Sequence, residues 1–272
     1  MRVKLLAPFY KGLLFLIVIP LAAQTSSSNV IALDEIELRP VQIRKLLKEH
    51  LVRHETNADR VFTHVRYKEI LSSSHGSKPL VSERELVLGL DLQQPLDYPE
   101  AFHTSFWLLS ERCVGLSTYT GPFPDLDFSA RTFQMSYYVT LVERFFDHLV
   151  VRQTGYEESK RLSFYGTAQS DQMRLEGSLI FYPDGEIKQL EVQLSFAKVD
   201  THSPLQLHII NTYLTTGKLK SQRMKTMILG EDTIYTQEQL FEFQERFHTI
   251  DPSFFQIPLD TSYPVKLSCY GS

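Results

Sequence analysis

Residues 186–199 read EIKQLEVQLSFAKV, and Leu190, Val192, Leu194 and Phe196 alternate there with Gln189, Glu191, Gln193 and Ser195. A period of two with one apolar and one wet face is the pattern of a strand in an antiparallel sheet. Pro183-Asp184-Gly185 just before it is a turn signal, and Thr215-Thr216-Gly217 marks a second turn downstream. Between and around these turns lie further β-branched and aromatic runs: HLVVRQT, KRLSFYGTA, MRLEGSLIFY, LQLHIINTYL and LKSQRMKTMIL. The connections are too short for helical crossovers between parallel strands. The second half of the chain is therefore expected to be an antiparallel meander.

Working outward, VFTHVRYKEIL at 61–71 and LVSERELVLGLDL from Leu80 predict two strands joined in a long hairpin. Before them, Ile43, Leu47 and Leu51 recur every four residues, with Pro40 placed for a first helical turn. This predicts an amphipathic helix of about 17 residues, covering the apolar face of the sheet. Residues 133–149, FQMSYYVTLVERFFDHL, predict a second helix. Residues 93–132 hold Pro95, Pro99, Pro122 and Pro124 and read as an irregular aromatic insertion, in which SFWLLSERC has the texture of a short helix. TIYTQEQLFEFQERF at 233–247 is compatible with strand or helix, and IDPSFFQIPLDTSYP reads as coil. The expected fold class is α+β, mainly antiparallel β: a meander or half-barrel sheet with an N-terminal helix packed on it.

The N-terminus sets the compartment. Arg2, Lys4 and Lys11 flank the apolar run GLLFLIVIPLAA, residues 12–23. This is the layout of a secretory signal peptide, and the run is too short for a roughly 30 Å hydrocarbon core. The expected organisation is a signal peptide over 1–23 and one β-rich domain over 24–272, exported to the periplasm or secreted, with no transmembrane anchor after cleavage. An uncleaved signal anchor is the other reading of the same run. The formal charge of -4 makes nucleic acid an unsuitable partner. Hydrophobic residues at 43% and charged residues at 22% exclude a disordered chain.

Three local stretches carry a resemblance: VRYKEI (Val65 to Ile70), GSLIFYPDGEIKQLEV (Gly177 to Val192) and IDPSFFQIPL (Ile250 to Leu259). In these the chain resembles secreted β-rich envelope proteins of Bacteroidetes-type bacteria, in the region following their carboxypeptidase-like regulatory domain. It is more loosely similar to periplasmic half-barrels that carry lipid or lipoprotein acyl chains. The resemblance implies an envelope role and brings no catalytic residue with it.

No chemistry-bearing motif stands out. His50 and His54, in HLVRH, lie on one helix face at i, i+4, a spacing zinc uses, but no third ligand is legible. An exposed polar helix face is the expected reading, with no metal and no cofactor. Asp125 and Asp127 lack the rest of a calcium loop, and Ser117 lacks the second glycine of a nucleophile elbow. Glu83, Glu85 and Glu176 suit exposed strand faces. Cys113 and Cys269, the two thiols, either pair in an oxidising compartment or stay separate and buried. Trp107, Tyr119, Phe123, Phe128, Tyr137 and Tyr138 could line an apolar groove; packing in the core is the alternative. The function expected is a non-enzymatic envelope or periplasmic binding or scaffold protein, holding an apolar ligand or an envelope partner on its sheet. The alternatives are a secreted glycan hydrolase with dispersed carboxylates and a partner-binding module that uses an open sheet edge.

Overall fold

The structure, a computed structural model, describes residues 36–54, 60–75, 78–91, 104–114, 126–154, 160–167, 173–196, 204–229 and 233–247. The signal segment, Tyr119, Phe123, Asp125, Ser117, Cys269 and the coil after 247 lie outside these residues.

Eleven strands form one sheet. In chain order they are β1 (Ile36–Leu38), β2 (Arg60–Ser73), β3 (Leu80–Asp91), β4 (Thr104–Val114), β5 (Val150–Thr154), β6 (Arg161–Thr167), β7 (Met173–Phe181), β8 (Ile187–Phe196), β9 (Pro204–Tyr213), β10 (Leu219–Leu229) and β11 (Ile234–Phe247). Their spatial order is β1-β5-β6-β7-β8-β9-β10-β11-β2-β3-β4, and every pairing is antiparallel. The fold is α+β with an antiparallel sheet and an N-terminal helix on it, and the expected meander is β5 to β10.

Among the described residues three α-helices accompany the sheet: α1 (Pro40–His54), α2 (Leu126–Arg131) and α3 (Met135–Arg144). Helix α1 buries Ile43, Leu47, His50 and Leu51. It is tied to α3 by Glu143, which accepts from Arg44 Nε at 2.7 Å and lies 3.3 Å from Lys48 Nζ. Both helices share one hydrophobic core with the inner face of the sheet.

Residues paired directly across an antiparallel ladder share a face, so the register defines that inner face. One row runs Arg84, Tyr67, Phe241, Gln222, Asn211, Leu190, Leu179, Leu162. All of these side chains are buried. The row is aliphatic at the β6–β8 end and largely polar from β9 to β3. There Gln237 Nε2 donates to Glu69 at 2.6 Å, Gln239 Nε2 donates to the Tyr67 hydroxyl at 3.0 Å, and the Arg84 guanidinium lies 5.3 Å from the centre of the Tyr67 ring.

The polar end also anchors the junction of α2 and α3. The Thr132 carbonyl accepts from Tyr138 Oη at 2.7 Å, Gln222 Nε2 at 2.9 Å and Asn211 Nδ2 at 3.1 Å. Buried polar groups are tolerated when each finds a partner. Here the sheet supplies two of the three donors, which fixes where α3 begins.

One expectation is corrected, and one open reading is settled. SFWLLSERC is strand rather than helix: it lies within β4, paired along β3. The register slips between Glu85 and Leu86, which face Ser110 and Leu108, so Leu109 is an extra residue that breaks the alternation. The segment at 233–247 is strand, and β11 joins the meander to the β2–β3 hairpin. The three-residue β1 was not anticipated from the sequence.

Candidate functional site

The meander brings the β7–β8 and β9–β10 turns to the same end of the sheet. Each is a three-residue loop closing on a glycine in the left-handed region, Gly185 at φ 89° and Gly217 at φ 74°. In the first, Gly185 N–H donates to the Tyr182 carbonyl at 2.9 Å and Glu186 N–H donates to Asp184 Oδ1 at 3.1 Å. In the second, Gly217 N–H donates to the Leu214 carbonyl at 2.9 Å. Tyr182 Oη donates to the Tyr213 carbonyl at 2.8 Å and ties the turns together.

The last turns of α1 end against this pair of loops. His54 Nε2 is 3.0 Å from Glu186 Oε2, and Arg53 Nη1 donates to Oε1 of the same carboxylate at 2.8 Å. His50 Nδ1 is 3.9 Å from Glu186 Oε2. The two imidazole centroids are 4.6 Å apart, and Tyr213 meets the His50 ring edge-on at 5.0 Å. One donor atom from each of His50, His54 and Glu186 lies within 4.8 Å of the others.

This corrects the reading of HLVRH as an exposed polar face: His50 is only 4% exposed. The reason is helical spacing. His50 follows Ile43 by seven residues and His54 follows Leu47 by seven, so both continue the buried stripe. The sequence contained that signal. It did not contain Glu186, which arrives from a hairpin turn more than 130 residues away.

The electrostatics are asymmetric. Both His50 ring nitrogens are buried and no side chain hydrogen-bonds them; the backbone of Gly217 is the one group close enough to favour the protonated ring. Burial, followed by the neighbouring His54, pushes the His50 imidazole down from 6.5 to about 4. Burial alone would raise the Glu186 carboxyl, but the hydrogen bonds from His54 and Arg53 outweigh it and hold the group below the ordinary carboxylate range. The site is thus a neutral buried imidazole facing a fixed carboxylate. His54 and Glu186 keep side-chain exposures of 18% and 20%, so it is reached from solvent on one side.

The other sequence candidates do not converge here. Tyr138 is buried in the Thr132 hub. Phe128 and Tyr137 are half-buried, packed edge-to-face at 6.3 Å, and burial pushes the Tyr137 phenol up. Trp107 lies in β4 opposite Val87, and Cys113 lies in the same strand opposite Ser82. Asp127 lies in α2. Glu83 accepts from Lys68 at 2.8 Å, Glu85 is half-exposed on the same strand, and Glu176 is exposed on β7. Among the described residues no helix is long and apolar enough to cross a membrane.

No family model and no curated protein matches the chain. Among solved structures it is similar to a DUF1329 family protein from Desulfovibrio piger, at 9% identity and a TM-score of 0.36, over 80% of this chain and 98% of that one. It is also similar to an N-terminal dehydratase from the difficidin assembly line, at 10% identity and a TM-score of 0.15, over 80% and 90% of the two chains. The Pseudomonas aeruginosa MucA/MucB complex matches at 8% identity and a TM-score of 0.15, over 74% and 94%. Scores this low carry no argument about fold or function.

Proposed function

We propose that the chain is an exported, non-enzymatic binding protein of the cell envelope, and that its binding site is the cluster at the end of α1. On this reading residues 1–23 are a cleaved signal peptide, and the mature domain, 24–272, belongs with secreted β-rich envelope proteins of the Bacteroidetes type. The observation that carries the binding role is the His50 imidazole, buried with no side-chain hydrogen bond beside a carboxylate that Arg53 holds in place. A buried polar group left unpaired is destabilising, so its position here supports a ligand that completes its bonding. The sheet serves as the scaffold, because the two turns that frame the site are set by its register.

Expression of the full chain in a Gram-negative host, with fractionation and N-terminal sequencing, tests the compartment. The expected result is periplasmic or secreted protein that starts near Gln24. Full-length protein in the cytosolic fraction contradicts the reading.

A further inference from the structure

We propose that His50, His54 and Glu186 form a binding site for a divalent late first-row transition metal of the zinc class. The proposal rests on the reading of this cluster as a binding site, and goes further by naming the ligand.

Two imidazoles and a carboxylate are a donor set suited to zinc and its neighbours, while calcium and magnesium prefer all-oxygen shells. The geometry is nearly in place. Donors around a tetrahedral ion with bonds near 2.1 Å stand about 3.4 Å apart. The Glu186 Oε2 distances of 3.0 Å to His54 Nε2 and 3.9 Å to His50 Nδ1 fall on either side of that value. The donor set as a whole spans up to 4.8 Å, so closing on an ion requires the side chains to rotate inward.

Three further features distinguish this cluster from a surface ion pair. His50 is more than nine-tenths buried, and apart from the Gly217 backbone its ring nitrogens meet no polar group but Glu186. Arg53 engages Oε1 and leaves Oε2 turned toward the two imidazoles, the orienting task that groups behind a metal ligand perform. Gly217 brings its backbone against the His54 ring, where any side chain would collide. His54 and Glu186 are partly exposed, so the fourth ligand would be a water or a donor group from a partner.

The test uses the full untagged chain, stripped with a chelator and titrated with Zn2+ by calorimetry. Co2+ serves as an optical probe, and imidazole NMR reads the histidines. The expected result is one ion per chain, perturbation of both the His50 and His54 resonances, and four-coordinate cobalt absorption. His54→Ala and Glu186→Gln should each weaken binding at least 10-fold, and Arg53→Ala about 10-fold. Absence of Zn2+ binding by the wild-type chain overturns the proposal. So does binding that leaves the resonances of His50 and His54 unmoved, a readout that needs no variant to fold. Export is measured separately: an exported chain that binds no Zn2+ refutes the ion alone, and a cytosolic chain that binds it refutes the compartment alone.

Discussion

Gly217 and His54 are packed so tightly that the imidazole occupies the space a Cβ on residue 217 would need. The same glycine holds φ at 74°, so its lack of a side chain is required twice. Gly185, the equivalent residue of the neighbouring turn, holds φ at 89° but would point a Cβ into open space. The two positions separate backbone strain from steric collision. Gly185→Ala should cost about 1 kcal/mol, from the left-handed conformation alone. Gly217→Ala should cost about 3 kcal/mol, because displacement of His54 is added to the strain. Urea unfolding of both variants checks the difference, and equal costs would show that His54 does not lie against the turn.

A second close approach lies inside the sheet. Gly177 pairs with Phe164 and Val192, and a Cβ there would collide with the Phe164 ring and with the Glu191 carbonyl oxygen. Gly177→Ala should destabilise by about 2 kcal/mol. In a Phe164→Leu background the added cost should be smaller, a coupling of about 0.5 kcal/mol or more in a double-mutant cycle. The backbone oxygen cannot swing aside, so the cost should shrink without vanishing.

The Thr132 carbonyl makes a graded prediction. Tyr138→Phe removes one of its three donors and should cost about 1 kcal/mol. Gln222 donates both to that carbonyl and to Asn211 Oδ1, and accepts from Thr132 Oγ1. Gln222→Leu takes one donor from that carbonyl and leaves the buried Asn211 Oδ1 without its partner, and should cost about 2 kcal/mol. Denaturant midpoints give the order, and hydrogen exchange should show the loss of protection centred on the start of α3.

Burial of His50 links stability to pH. Its pKa falls from 6.5 to about 4 in the folded chain, so between those values the unfolded chain binds the proton more readily. The contribution is fully present above about pH 6.5, is lost progressively on acidification, and is gone below about pH 4. Over that window it amounts to roughly 3 kcal/mol. In chelator-treated protein, unfolding free energies at pH 7 and pH 4.5 should therefore differ more for the wild type than for His50→Gln. Equal pH slopes would place His50 in contact with water.

The strand at 187–196 was legible because one face is nearly all apolar, and the hairpin at 60–91 through its β-branched and aromatic runs, although Glu69, Ser82 and Arg84 turn inward there. β11 was not, since its buried face presents Gln237 and Gln239 and only then Phe241. Polar residues turned inward cancel the period-two signal, and only the partners Glu69, Tyr67 and Ser129 make that arrangement stable. In β4 the bulge at Leu109 interrupted the alternation. Half of the candidate site was readable, because His50 and His54 continue the heptad spacing of Ile43 and Leu47. Glu186 was not, because nothing local in a Pro-Asp-Gly-Glu turn says which helix the carboxylate will meet.

The central claim is that His50 is enclosed at the end of α1 against two hairpin turns, and imidazole NMR titration of the metal-free protein tests it most directly. His50 should stay neutral through pH 5 and protonate near 4. A His50 resonance that titrates near 6.5, like that of a solvated histidine, would contradict it.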